Sequence, residues 1–529
     1  MSYVSPLYFA LFLPFTFLIY QVFPSKYRWV TLLLVSMLFY FLVSSWLILI
    51  IIITTFVIYS AGLLLDFISK RSLVKQDLEP EIATVERQQS QFKKKRVTKW
   101  TIIIILGTLI VLKYAPFITS SINSALAYLS IEAKVPILKF VVPLGISFYS
   151  LQAISYCVDV YRGVVSAERN YFKLLLFLSF FPTIMQGPIA RYSDVKETLF
   201  AGTAINSDSF VHGIQRIFWG LFKKIMIADR LNSLVIAIID ADNAQFAGSI
   251  MLLGAAIYTI QLYMDFSGIV DISLGTAEIF NIKLPENFRQ PFFAKTVTDF
   301  WKRWHITLGS WLKDYVFYPV MLSRRIKSLT KKTRKKFGKH ASLIITNAIA
   351  LFVVWLCNGF WHGSGWNFVM YGMYYFTLIT LALIVEPFME KVKTILHLDN
   401  HKILLRTIQA TKMALIIMIG ELIFRVESIR KILIIFKNIL FNFNVSELTT
   451  DLLARFKFDI GDAWIVLIAI ILVFIVDFLK ERNINPLDKL NSLPIWARWT
   501  LSYVFIVSIV VFGAYGNGYT PVDIIYAGF

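Results

Sequence analysis

Apolar runs long enough to cross a bilayer constrain this chain more than any other feature. The hydrocarbon core is about 30 Å thick, so a crossing helix takes about 17 to 25 predominantly apolar residues. Such runs fall near residues 6 to 23, 28 to 44, 46 to 68, 100 to 119, 136 to 158, 171 to 187, 249 to 280, 341 to 361, 366 to 387, 408 to 427, 461 to 479 and 496 to 514. They predict an all-α, polytopic integral membrane protein of about eleven transmembrane helices, with re-entrant or interfacial helices added. Composition agrees: 16% of residues are charged and 57% hydrophobic, whereas a soluble domain carries about 25% charged residues. Residues 1 to 23 lack a basic start and a small-residue cleavage site, so they read as a retained first span. No internal repeat of fixed period is found, which weakens solenoid and inverted-repeat transporter readings. Two cysteines, Cys157 and Cys357, exclude a disulfide scaffold and a cysteine metal cluster. No metal site is expected.

The net charge of +20 gathers in short runs between apolar stretches, KKKRVTK at 93 to 99 and RRIKSLTKKTRKKFGK at 324 to 339. That is the pattern of cytoplasmic loops under the positive-inside rule, with anionic headgroups as their neighbours; nucleic acid is not expected as a partner. The stretch Lys70 to Lys99 holds nine Lys or Arg against four acids and reads as a cytoplasmic loop. Counting crossings from it places both termini outside, and it places His305 and His362 at opposite ends of one crossing. Residues 207 to 232 set Phe, Ile, Trp and Leu at helical spacing among Arg216, Lys223, Lys224 and Arg230. They read as an amphipathic helix in the interface, its basic groups reaching headgroups. Residues 296 to 320 are too polar for a lipid-facing span and too aromatic for a loose loop, which fits re-entrant, cavity-lining helices.

Only six histidines occur. His212, His340, His397 and His401 lie in polar or interfacial contexts, where solvated or headgroup-facing roles are the default. His305 lies in TDFWKRWHITLGSWLKDY and His362 in FVVWLCNGFWHGSGWNFVMYGMYYF. An ionisable residue at membrane depth is expensive and by default marks a functional cavity. The bland reading of His362 is an interfacial histidine in an aromatic belt, beside Trp361 and Trp366. Against it stand Gly359, Gly363, Gly365 and Gly372, which thin the helix surface for close approach. The residues alone leave both readings open.

The blocks FWKRWHITLGSW and NGFWHGSGWNFVMYG resemble the two histidine-bearing signatures of the membrane-bound O-acyltransferase family. The likeness is strongest to its bacterial branch, which includes the alginate and peptidoglycan O-acetyltransferase membrane subunits. VVPLGISFYSLQAISYCVDVYRG, FLSFFPTIMQGPIARY and YTIQLYMDFSGIVDISLGTAEIFNIKLPENFRQPF resemble the same branch in the same order. The likeness runs over roughly residues 1 to 529. It implies a single membrane domain: N-terminal spans at 1 to 68, a basic cytoplasmic loop at 69 to 99, a catalytic core at 100 to 427 and C-terminal spans at 428 to 529. A departure lies after DYVFYP, where the branch continues with a Leu-Gly-Gly turn and this chain reads VMLSRR.

The resemblance further implies a helix ring around a funnel in the cytoplasmic membrane. An acyl group would pass through it from a cytosolic thioester to an outer acceptor, a surface polysaccharide or peptidoglycan. Acetyl-CoA is the expected donor, no cofactor is expected to be tightly bound, and a separate extracytoplasmic acetyltransferase is the expected partner. D-alanyl transfer to teichoic acid from a carrier protein is the alternative within the family; a transporter without chemistry is the rival outside it. His362 matches the family's catalytic base, and neutral imidazole, with a reference pKa of about 6.5, suits deprotonation of a hydroxyl. His305 matches the second position. Trp301, Trp304, Trp311, Trp361 and Trp366 are expected to line the tunnel, with Asn358, Asn367 and Trp366 as oxyanion donors and Lys302 and Arg303 facing the diphosphate of coenzyme A. Asp265 and Gln186 are expected to line the funnel or fix helix packing. Glu286, Asn287 and Arg289 are expected to position the segment carrying His305.

Overall fold

The computed structural model describes residues 2–74, 80–241, 246–395, 397, 401–448, 451–515 and 519–522. The expectation for the termini concerns Met1 and residues 523–529, which lie outside these. Backbone polar groups in a bilayer find no water, so each apolar run resolves its hydrogen bonds within itself as a helix. The main helices are α1 (Leu13–Val22), α2 (Ser25–Ser44), α3 (Ile48–Val74), α4 (Pro80–Leu109), α5 (Ile146–Arg162), α6 (Tyr171–Ser179), α7 (Gly248–Ile279), α8 (Ile306–Leu312), α9 (Arg324–His362), α10 (Trp366–Ile395), α11 (Lys402–Arg425), α12 (Ile460–Glu481) and α13 (Ile495–Phe512). Among the described residues, eight helical stretches are long and apolar enough to cross a membrane. The chain is a multi-pass integral membrane protein.

Several spans differ from the expectation. The run at 171 to 187 is not a crossing: α6 ends at Ser179 and the buried stretch after it is non-helical. Side chains from neighbouring helices replace the missing ladder. Ser36 Oγ accepts from Phe181 N at 3.1 Å, Tyr3 Oη donates to Phe181 O, and Met185 N donates to Tyr3 Oη at 3.1 Å. Irregular backbone survives at membrane depth when protein satisfies it in this way. The run at 136 to 158 becomes helical only at Ile146. The basic stretches read as loops are largely helix: α3 continues to Val74, α4 starts at Pro80, and residues 324 to 337 form the first turns of α9, redirected at Gly338 with φ 82°. Long cationic side chains leave helix propensity intact, so charge alone does not make a loop.

The chain divides into two compact units: Met1–Ile217 with Ser273–Pro285 and Tyr526–Phe529, and Phe218–Ile272 with Glu286–Ile525. In the first, Tyr8, Phe12, Phe39 and Phe181 form a ring cluster with centroids 5.3–6.3 Å apart. In the second, the basic groups expected at headgroups are buried. Lys223 is 4% exposed, Lys224 1% and Arg230 3%. Lys223 pairs with Asp271 at 2.6 Å, Lys224 bridges Asp229 and Asp265 at 2.7 Å each, and Arg230 pairs with Asp462. Burial of a cation at this depth requires an anion beside it, and the acids of α7 and α12, with Asp229, supply it.

Candidate active site

His305 and His362 both belong to the second unit, and they are neighbours. His305 is 1% exposed and His362 3% exposed; their ring centroids lie 6.5 Å apart. The expected separation to opposite ends of a crossing is therefore wrong. Short helices at Val297–Trp301 and α8 carry His305 to the depth at which α9 ends at His362.

The backbone at His305 is left-handed, φ 47°, an uncommon state for a residue with a Cβ and one that needs support. Residues 287 to 289 supply it. Arg289 N donates to Arg303 O at 2.9 Å and Ile306 N to Asn287 O at 3.0 Å, around an antiparallel bridge from Phe288 to Trp304. The buried Asn287 Oδ1 accepts from Thr307 N at 3.1 Å and Thr307 Oγ1 at 2.8 Å, and it faces His305 Nδ1 at 3.2 Å. An oxygen that already accepts from a backbone N–H can only accept, so Nδ1 of His305 carries a proton; in the neutral ring, Nε2 carries the lone pair. Asn287 and Arg289 thereby hold the segment that carries His305.

His362 is set by close helix approach. A Cβ on Gly359 would meet Phe368 O at 2.4 Å, and one on Gly372 would meet Trp355 O at 2.3 Å. These two glycines let α9 and α10 touch along their backbones, as the sequence reading expected. The His362 ring then packs on Trp361, Tyr371 and Phe424 with centroids 5.0, 5.6 and 5.2 Å away. Trp361 and Phe266 also pack on His305, at 5.3 and 4.9 Å.

The other expected site residues divide. Trp301 contacts Trp355 and Tyr375 at 4.9 and 4.8 Å, and its buried Nε1 has no hydrogen-bond partner in the structure. The same holds for Tyr375 Oη and for Asn358 Oδ1, one turn before His362. Buried polar groups are normally paired, and these three unpaired atoms lie in one aromatic chamber built from Trp301, Trp355, Tyr371, Tyr375 and His362. Trp304 forms an outer layer on Phe288 and Phe300 at 5.2 and 5.5 Å. Trp311 is buried against Tyr315.

Three expectations, for Trp366, Asn367 and Arg303, need correction. Trp366 is 54% exposed and outside the chamber. Asn367 Nδ2 donates to Phe424 O at 2.8 Å, so it holds α11 in place. Asp265 faces Lys224 in the buried ion cluster, which matches the second of its two expected roles, helix packing. Arg303 is engaged by Asp299 at 3.0 Å and by both oxygens of Glu481 at 2.6 and 3.2 Å, which ties down the His305 loop and leaves no free fork for a diphosphate. Lys302 is exposed. Gln186, in the first unit, is fully buried with both amide heteroatoms lacking a partner in the structure.

Tyr371, Tyr375, Phe424 and Glu421 were not singled out from sequence. Glu421 is 1% exposed, lies one turn before Phe424, and has Oε1 without a hydrogen-bond partner in the structure. The signal was present: Glu421 lies deep in the apolar run at 408 to 427, whose other acid, Glu427, stands at its edge.

Comparisons with known proteins find relatives of this chain. The family model described as membrane-bound O-acyltransferase matches residues 162–424, which contain both histidines. A probable alginate O-acetylase of Azotobacter vinelandii is 30% identical over 81% of this chain and 76% of its own. A peptidoglycan O-acetyltransferase of Helicobacter pylori is 31% identical over 52% of this chain and 53% of its own. A teichoic acid D-alanyltransferase of Bacillus subtilis is 32% identical over 47% of this chain and 61% of its own.

Proposed function

Because this chain belongs to the membrane-bound O-acyltransferase family, we propose that it transfers an acetyl group from a cytosolic thioester, acetyl-CoA, to a hydroxyl of an extracytoplasmic polysaccharide or peptidoglycan. The observation that carries the reading is the buried pair of imidazoles, 6.5 Å apart, in a chamber lined by unpaired polar groups. The hydroxyl oxygen attacks the thioester carbonyl while His362 takes its proton. The tetrahedral oxyanion accepts from Trp301 Nε1 and Tyr375 Oη; the C–S bond then breaks and the thiolate takes the proton from His362. His305, held through Asn287, orients the thioester. The adjacency of the rings favours one reaction centre where donor and acceptor meet over a relay between two separated histidines. We read the enzyme as lying in the cytoplasmic membrane. A separate extracytoplasmic acetyltransferase is the proposed partner.

D-alanyl transfer from a carrier protein is the second reading, favoured by the likeness to teichoic acid D-alanyltransferases. Proteoliposomes given acetyl-labelled acetyl-CoA or a D-alanyl carrier separate the two. Turnover of the acetyl label with ester formation on added polymer is expected; turnover of the carrier alone overturns the acetyl reading. A further prediction concerns Asn287. Asn287→Leu frees the His305 ring and its left-handed loop, and a misplacement of about 1 Å costs about 10²-fold in rate. Asn287→Asp keeps the acceptor and should retain most activity; equal rates for the Leu and Asp variants would remove the anchoring role.

A further inference from the structure

Within the first unit, α3 and α4 do not close on each other along their whole length. Between them runs a groove of about 850 Å³ lined only by residues 56 to 72 and 86 to 104, a volume in the range that holds one small ligand. Its two ends differ in chemistry. Phe56 and Ile104 line one end, Leu64 and Arg96 face each other midway, and Arg71 and Lys93 stand at the other end with one acid, Glu86, among them. None of these three cations forms an ion pair with another described residue. The nearby acid on α3, Asp66, is already paired with Lys70 at 2.6 Å and lies 3.8 Å from Arg169. Trp100, also lining the groove, is 53% exposed, as suits an indole at the membrane interface.

From Phe56 to Arg71 the groove follows fifteen helical steps, about 22 Å at 1.5 Å per residue. That exceeds half of the roughly 30 Å hydrocarbon core, so one molecule can place a charged head at the cationic rim and an acyl chain across a leaflet. We propose that the α3–α4 groove binds one anionic phospholipid, its phosphate held by Arg71, Lys93 and Arg96 and its acyl chain lying against Phe56, Leu64 and Ile104. The charge of the rim selects the head, and the apolar end selects an amphiphile over a soluble anion. The site shares no residue with the histidine chamber, so it stands whether or not the acetyl reading does.

Native mass spectrometry of the purified full chain, with dioleoyl phosphatidylglycerol or dioleoyl phosphatidylcholine added, tests this. The wild-type protein should retain one phosphatidylglycerol in preference to phosphatidylcholine, and neither inorganic phosphate nor chain-free glycerophosphoglycerol should displace it. Arg71→Gln, Lys93→Gln and Arg96→Gln together should erase the preference, each weakening retention about fivefold at about 1 kcal/mol per basic residue. Ser60→Phe, which narrows the apolar end, should lower retention of both lipids with the rim intact. Equal retention of the two lipids by the wild type overturns the proposal. Displacement by inorganic phosphate overturns it in favour of a simple anion site. Both of these arms use the unmodified protein and do not depend on the variants folding.

Discussion

His362→Gln should lower acyl transfer by about 10²–10⁴-fold, the usual contribution of a positioned general base, with little change in the melting temperature of the detergent-solubilised protein. Glutamine keeps polar atoms and similar bulk among Trp361, Tyr371 and Phe424, so packing survives while proton acceptance is lost. The pairing of the two rings makes a sharper claim. Residues that serve one reacting centre at 6.5 Å lose function together, so His305→Gln in the His362→Gln background should cost much less than His305→Gln alone. Two histidines serving separate half-steps would show additive losses in log rate. Additive losses in a double-mutant cycle on initial rates would therefore return the enzyme to a relay mechanism.

The two histidine blocks and their glycines were readable from sequence because rare residues at membrane depth stand out against an apolar background. Their adjacency was not. Counting charges in loops assumes that each apolar run is a full crossing and each polar segment an excursion to one face. Residues 297 to 312 break that assumption: they are short helices that carry His305 inward, held by the strand-like pairing of Asn287–Arg289 with Arg303–Ile306. The same limit explains Lys223 and Lys224. On one helix their pattern is identical to that of side chains reaching for headgroups, and only the fold brings Asp265 and Asp271, some forty residues on, to meet them. Glu421 marks the opposite case, where the local rule was sufficient and a single acid among isoleucines and leucines already indicated the chamber wall.

The largest stability effect is expected at Lys224. Its ammonium lies between Asp229 and Asp265, each at 2.7 Å, and it also donates to Val522 O at 2.9 Å. The lysine is 1% exposed, Asp229 4% and Asp265 fully buried. Lys224→Met removes the only cation of this triad and leaves two carboxylates facing each other out of water. Breaking a buried pair in this way costs about 3–5 kcal/mol, a large share of the 5–15 kcal/mol that holds a typical domain folded. The variant should show a markedly lower melting temperature or fail to accumulate in membranes. The sign of the cost is the test. If the penalty comes from uncompensated charge, then Lys224→Met combined with Asp265→Leu and Asp229→Asn should recover much of the loss, because replacing a buried ionic cluster by packed neutral groups is often neutral or stabilising. If it comes instead from the lost hydrogen bond to Val522, the triple variant should remain as unstable as the single one. Thermal melting of the single and triple variants in the same detergent decides between a charge brace and a strap for residues 519 to 522.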